Sequence, residues 1–191
     1  MKTVVACGAL ALDVRGIARR RGWDLKVIPV SALLHNHPHR IDAAVAALCA
    51  DHDIVAVAYG DCGTRGALDG FPRLEGEHCY DVFARAEVRA ALDEEPGTYF
   101  LTDFLARTFE HTVWRELGLE RYPELREDYF RHYTRVMWLA QRPTPATQAA
   151  ASRAAGRLGL PLVVREVGVD GLERDLERLL ASTPAVTPAA R

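Results

Sequence analysis

Apolar positions along the chain fall into short β-branched runs separated by longer stretches of helical period. Lys2-Thr3-Val4-Val5-Ala6 has the pattern of a buried parallel strand, closed by Cys7-Gly8. Leu12 to Arg21 predicts a helix. Its last turn carries Arg19, Arg20 and Arg21, which suit the negative end of the helix dipole, and Gly22 stops it. Leu25 to Val30 is a second strand, followed by the loop Leu34 to Pro38 and an alanine-rich helix from Arg40 to Asp51. Ile54 to Tyr59 is the clearest strand and runs into the glycine-rich turn Gly60-Asp61-Cys62-Gly63-Thr64.

The remainder repeats the alternation. Phe71-Pro72-Arg73-Leu74 reads as a short strand, with a loop over Gly76 to Tyr80 and a helix from Asp81 to Asp93. Thr98 to Leu101 and Val136 to Ala140 are further strands, with helical sequence from Asp103 to Tyr133 interrupted near Gly118 and Pro123. A helix over 145–157, a strand over Leu162 to Arg165 and a helix over 170–181 close the pattern. Strands alternating with helices imply right-handed βαβ units. The expectation is an α/β fold, a Rossmann/flavodoxin-like, doubly wound, mostly parallel sheet. One domain is expected over 1–181, with a Pro/Ala/Thr-rich disordered tail over 182–191. The pattern does not encode strand order.

Composition narrows the partners. With 191 residues, 49% of them hydrophobic, the chain can build a core, which excludes a wholly disordered protein. A net charge of -2 lacks the basic excess of a nucleic-acid binder. The apolar start at Val4-Val5-Ala6 is broken at Gly8, Asp13 and Arg15, so no signal peptide forms. No run approaches the roughly 20 apolar residues of a membrane span. The expected setting is the cytoplasm, with a small-molecule substrate and neither nucleic acid nor membrane as partner. The aromatic stretch Trp114, Tyr122, Tyr129, Phe130 and Tyr133 is expected to pack against the sheet, with a homodimer contact as the alternative.

Four cysteines are too few and too dispersed for a disulfide scaffold of this length. Cys7 follows the first strand, Cys62 the third, and Cys79 precedes a helix. In open α/β sheets ligands bind outside the carboxyl ends of strands, and in a flavodoxin-like order the first and third strands are neighbours. Cys7, Cys62 and Cys79 are therefore expected to converge as metal or cluster ligands. A reactive thiol and inert packing are the alternatives. Cys49, inside the alanine-rich helix, reads as a small buried hydrophobe.

His35, after the second strand, is expected on the same rim as a fourth ligand or an acid/base. His78 beside Cys79 is a candidate ligand or donor, and Asp61 a candidate for orienting ligand or substrate. Together these three are the candidate catalytic residues. Gly8, Gly63, Thr64 and Asp103 are candidates for holding a cofactor, although Asp103 equally suits the start of a helix. His37 and His39 read as solvated. Phosphate-cradling glycine motifs and the hydrolase elbow are missing from the sequence.

Cys7-Gly8-Ala9, Leu34-His35-Asn36, Tyr59-Gly60-Asp61-Cys62-Gly63-Thr64, His78-Cys79-Tyr80, Phe100-Leu101-Thr102-Asp103-Phe104-Leu105 and Pro123-Glu124-Leu125 occur in this order. Together they resemble the bacterial and archaeal family catalogued as domain of unknown function 1638, over nearly the whole chain to about residue 180. The resemblance implies that Cys7, His35, Asp61, Cys62, His78 and Cys79 belong to the family's motifs. It leaves His37, His39 and Cys49 outside them and assigns no activity. Family members resemble proteins found among corrinoid-dependent methyl-transfer systems, which makes a corrinoid or methyltransferase system an expected partner.

Two chemistries remain open. Zinc held by three thiolates and His35 would activate a bound thiol or water. A 4Fe–4S cluster with one iron free is the other, an arrangement similar to quinolinate synthase and thiouracil desulfidases. Either implies a metal-dependent transferase or lyase of thiol, sulfur or methyl-group chemistry. A non-catalytic metal or small-ligand carrier or sensor is the alternative from another class.

Overall fold

Val4, Val5 and Ala6 have no exposed surface because both edges of their strand are hydrogen-bonded and both faces are covered. This strand, β1 (Lys2–Cys7), pairs in parallel with β2 (Leu25–Val30) and with β3 (Ile54–Ala58). The order is therefore β2-β1-β3, with the first and third strands side by side. The computed structural model describes residues 1–182. The expected tail lies outside the described residues, except Ser182, which closes the last helix.

The described chain divides into two compact units, Phe83–Asp170 forming one and Met1–Val82 with the residues from Gly171 forming the other. The α/β class and the parallel pairing are as the sequence predicts, with the strands shared between two three-stranded sheets. In the first unit, β1 leads into α1 (Ala11–Arg21), which ends at Gly22 in the left-handed conformation, φ 64°. The cationic end of α1 does more than suit the dipole. Arg20 pairs with Glu173, and Arg21 with Glu173 and Glu177, on a terminal helix (Asp170–Ser182) whose Leu172, Leu176 and Leu179 form the buried stripe. After β2, two short 3-10 turns, Ala32–Asn36 and Pro38–Arg40, lead into α2 (Ile41–Asp51).

Phe71-Pro72-Arg73-Leu74 does not form the expected strand. Only Arg73 bridges Val57, through Val57 N–H to Pro72 O at 2.8 Å and Leu74 N–H to Val57 O at 3.3 Å. Pro72 has no N–H with which to extend a ladder.

The helix α3 (Cys79–Glu94) begins at a cysteine and kinks at Ala84, where φ is -153°. In the second unit, β4 (Thr98–Thr102), β5 (Arg135–Ala140) and β6 (Leu162–Glu166) form a parallel sheet in the order β4-β5-β6. The helical stretch after β4 starts as α4 (Asp103–Phe109), widens to a π-helical turn over Glu110–Arg115, and resumes as α5 (Leu125–Phe130). Gly118, at φ 73°, supplies the break expected there. Trp114 and Phe130 enter the core, while Tyr122 and Tyr129 stay exposed. The next helix, α6 (Pro145–Leu158), presents Ala150, Ala151, Ala154 and Ala155 to that core. No helix among the described residues is long and apolar enough to cross a membrane.

Candidate functional site

Two chain crossings at the carboxyl ends of β1 and β3 build the site, all of it within the first unit. At the end of β1, Gly8 donates its N–H to Val30 O at 2.7 Å. A Cβ at Gly8 would stand 3.0 Å from that oxygen and 3.1 Å from Ala32 N, so glycine is required for Cys7 to turn off the sheet this tightly. At the end of β3, Gly60 passes equally close to another backbone: a Cβ there would be 3.1 Å from Gly76 O. Asp61 N–H then bonds Gly76 O at 2.8 Å and Cys62 N–H bonds Glu77 O at 2.7 Å. These bonds fasten the Cys62 turn to the segment that delivers His78 and Cys79.

Cys62 sits at φ 48°, a left-handed conformation unusual for a residue with a side chain, and Gly63 follows at φ 81°. Asp61 holds the turn in place. Its carboxylate accepts Thr64 Oγ1–H at 2.8 Å, Gly66 N–H at 2.9 Å and Arg65 N–H at 3.2 Å. These donors, led by the Gly66 N–H, hold its carboxyl below the usual carboxylate range despite some desolvation. Asp61 and Thr64, expected at substrate or cofactor, are thus bonded to each other and to the loop.

The three thiols share one environment. Cys7 and Cys62 are buried, and Cys79 is half-buried at the first residue of α3. Burial raises the Cys7 thiol, partly offset by the N–H of Ala9, the Tyr59 hydroxyl and the N–H of Leu10. Burial, then the neighbouring Cys7, pushes Cys62 up to about 12. Burial, Cys7, Cys62 and Asp81 together raise Cys79 well above a free thiol. All three are neutral thiols near pH 7. Cys49 is half-buried on α2 and has no other cysteine acting on it.

The histidines meet the same region. His35 lies in the 3-10 turn after β2 and is held below the usual histidine range by burial and then by His78. The His78 ring stacks on Tyr80 at 4.8 Å, with Nδ1 at 3.7 Å from Asp81 Oδ2. Gly63 comes close to the Pro38 ring, where a Cβ would be 3.3 Å from Cγ, so the turns after β2 adjoin the Cys62 loop.

Asp103 belongs to the second unit. Its carboxylate accepts Trp138 Nε1–H at 2.9 Å, Arg142 N–H at 2.8 Å and Gln141 N–H at 3.3 Å, while its own N–H bonds Gln141 Oε1 at 2.7 Å. Thr102 caps α4 by accepting Leu105 N–H. Asp103 therefore organises the loop after β5, a role its position at a helix start did not reveal.

Two site residues escaped sequence reasoning. Asp81 looked like ordinary helix, and Tyr59 like the last apolar residue of a strand. Tyr59 is fully buried, and its hydroxyl has no hydrogen-bond partner among the described residues. It acts on the Cys7 thiol, favouring that group's ionised form. Leaving such a group unpaired costs about 1–3 kcal/mol. Its sequence signal was a tyrosine standing directly before Gly-Asp-Cys-Gly.

The fold defines an α/β protein in which three cysteines gather near the carboxyl edge of a parallel sheet. A family model described as protein of unknown function (DUF1638) matches residues 29–176, and the chain belongs to that family. His35, Asp61, Cys62, His78 and Cys79 fall within the matched span; Cys7 precedes it. No curated protein and no solved structure matches the chain. Among the described residues, no group of three or more His, Cys, Asp or Glu side chains is set to close on one metal ion.

Proposed function

We propose that this chain is a cytoplasmic metalloenzyme of small-molecule chemistry in which Cys7, Cys62 and Cys79 hold a 4Fe–4S cluster with one iron left for substrate. The observation that carries this reading is the gathering of three thiols, each raising the next, in one buried region at the ends of β1 and β3. Three neutral thiols become three thiolates together only when a cation offsets their mutual repulsion. Soft sulfur donors in a dry setting suit iron–sulfur or zinc chemistry. Zinc, at 2.3 Å from each sulfur, would need thiolates about 3.8 Å apart. Three cysteines dispersed along the chain, with no C-x-x-C pair, suit the wider ligand spread of a cluster.

When bound, the cluster supplies an open iron that polarises a thiol, a thiocarbonyl or a methylated sulfur. The chain's own residues do the rest. His35, kept neutral near pH 7, takes up or returns a proton. His78 is oriented by Tyr80 and Asp81 and faces the same proton traffic. Asp61 and Thr64 hold Cys62 in its left-handed turn rather than moving protons.

The test is anaerobic purification with iron and sulfide supplied. A brown protein with broad visible absorption and about four irons per chain is expected. A colourless protein with stoichiometric zinc would replace the cluster with the zinc site, and a metal-free protein would end both. A bound cluster whose spectrum no thiol or thiocarbonyl compound perturbs would make the chain a carrier.

A further inference from the structure

The second unit carries a cavity of about 420 Å³ between α4 and α6, lined by residues of that unit alone. Its floor is apolar, made of the buried side chains of Ala106, Phe109, Ala150 and Ala154. Its rim is cationic. Arg107 on α4 and Arg153 on α6 are exposed, and among the described residues neither side chain has a hydrogen-bond or ion-pair partner. Arg157 differs, because two residues of the π-helical turn hold it. Glu110 accepts two hydrogen bonds from its guanidinium, at 2.8 and 3.1 Å, and the guanidinium carbon stands 4.8 Å from the centre of the Trp114 ring. Three guanidiniums against one carboxylate leave the lining with two uncompensated positive charges, in a chain of net charge -2.

Gly156, on the same wall, has no steric reason to be glycine. A Cβ there would meet no atom within 4 Å, and positions 150, 151, 154 and 155 of the same helix are alanine. A helical glycine is less stable than alanine, so the bare position costs stability and leaves open space in return. The π-helical turn on the facing wall is another local cost, of a kind that gathers at functional sites. Two such costs border one cavity.

We infer that this cavity binds a small phosphate monoester, with the phosphate between Arg107 and Arg153 and the apolar body against the alanine floor beside Gly156. Cavities of roughly 300–1,000 Å³ are the size that small molecules fill. The planar fork of an arginine matches phosphate oxygens with paired hydrogen bonds. A phosphate monoester carries about -1.5 to -2 charges near pH 7, which answers two free guanidiniums better than the single charge of a carboxylate does. Arg157, tied to Glu110 and Trp114, is a fixed part of the wall. The site uses other elements than the three cysteines and does not depend on what they hold.

The experiment titrates phenyl phosphate into the full chain by isothermal calorimetry, at low and high salt, with inorganic phosphate and benzoate for comparison. Phenyl phosphate should bind about tenfold more tightly than either, and salt should weaken it. Arg107→Ala and Arg153→Ala should each lower the affinity about tenfold at unchanged melting temperature, because exposed side chains without partners hold nothing in the fold. Gly156→Leu should melt at or above the wild-type temperature yet lose binding, since leucine is the better helix former and its side chain fills the space. Phenyl phosphate that fails to bind at millimolar concentration would overturn the inference, as would wild-type affinity in both arginine variants. Inorganic phosphate bound as tightly as phenyl phosphate would also overturn it, by leaving the apolar floor without a role. A wild-type dimer that Gly156→Leu dissociates would overturn it in favour of a second copy of this chain on the same face.

Discussion

Oδ2 of Asp81 accepts the backbone N–H of His78 at 2.9 Å and of Glu77 at 3.1 Å, reaching back over the helix start at Cys79. One carboxylate thus fixes the residues that carry a histidine and a thiol into the site. This is the reciprocal half of a capping box, in which the third helical residue closes the turn before the first. Asp81→Ala should cost about 1 kcal/mol of stability, read by chemical denaturation. It should also loosen iron retention in the loaded protein.

Acid should act through the same carboxylate. Burial would raise the Asp81 carboxyl, but the His78 ring and the N–H groups of His78 and Glu77 outweigh it and hold the group below the usual carboxylate range. A depressed folded-state pKa means stability that is present above about pH 4 and lost as pH falls through the folded value. Melting temperature followed below pH 5 should therefore fall less steeply in Asp81→Asn than in wild type.

The free thiols predict the opposite limb. Cys62 is pushed up to about 12 by burial and by Cys7, while an unfolded cysteine ionises near 8.5. Above about pH 8.5 the unfolded chain sheds protons that the folded chain keeps, so metal-free protein should lose stability as pH rises. Cys62→Ala should flatten this alkaline decline in thermal melts at pH 8 to about 10.5.

Cysteine substitutions separate ligand from filler. Cys7→Ser, Cys62→Ser and Cys79→Ser should each lose most of the iron measured after loading, and Cys49→Ser should retain it. Equal iron in all four variants would remove the three-cysteine site altogether.

Gly60→Ala tests the backbone crossing. Its Cβ would meet Gly76 O at 3.1 Å and the His78 carbonyl carbon at 3.3 Å, both rigid backbone atoms. A loss of about 1–3 kcal/mol is expected, with reduced iron uptake. Gly22→Ala meets no atom within 4 Å and carries only the left-handed penalty at φ +64°. It should cost about 1–2 kcal/mol and leave iron uptake unchanged.

The elements that can be read from the sequence are those that periodicity alone decides. β1, β2 and β3 are short apolar runs with helices between them, and their bounds fall within a residue or two of expectation. Cys7 and Cys62 were recognisable because a cysteine just beyond a strand of an α/β fold stands at the ligand edge. Asp61 and Asp103 could be read two ways for one reason: a carboxylate at a strand end looks the same whether it faces a ligand or backbone N–H groups. Only three-dimensional closure shows the N–H of Gly66 and Arg142 arriving. Tyr59 was hidden more deeply, since nothing at the end of a strand tells whether a tyrosine hydroxyl will be buried.

The fastening of Asp61 and Cys62 to Gly76 and Glu77 gives the intervening segment a narrow neck. The loop beyond that neck is tied down as well: Thr64, Arg65 and Gly66 bond Asp61, Pro72 and Leu74 bond Val57 of β3, and Leu68 and Leu74 are buried. Change in length or sequence is therefore tolerable at its exposed tip, around Asp69 and Gly70, and nowhere else along it. A loop pinned at both ends and in its middle transmits a disturbance at Leu68 or Leu74 straight to the turn that carries Cys62.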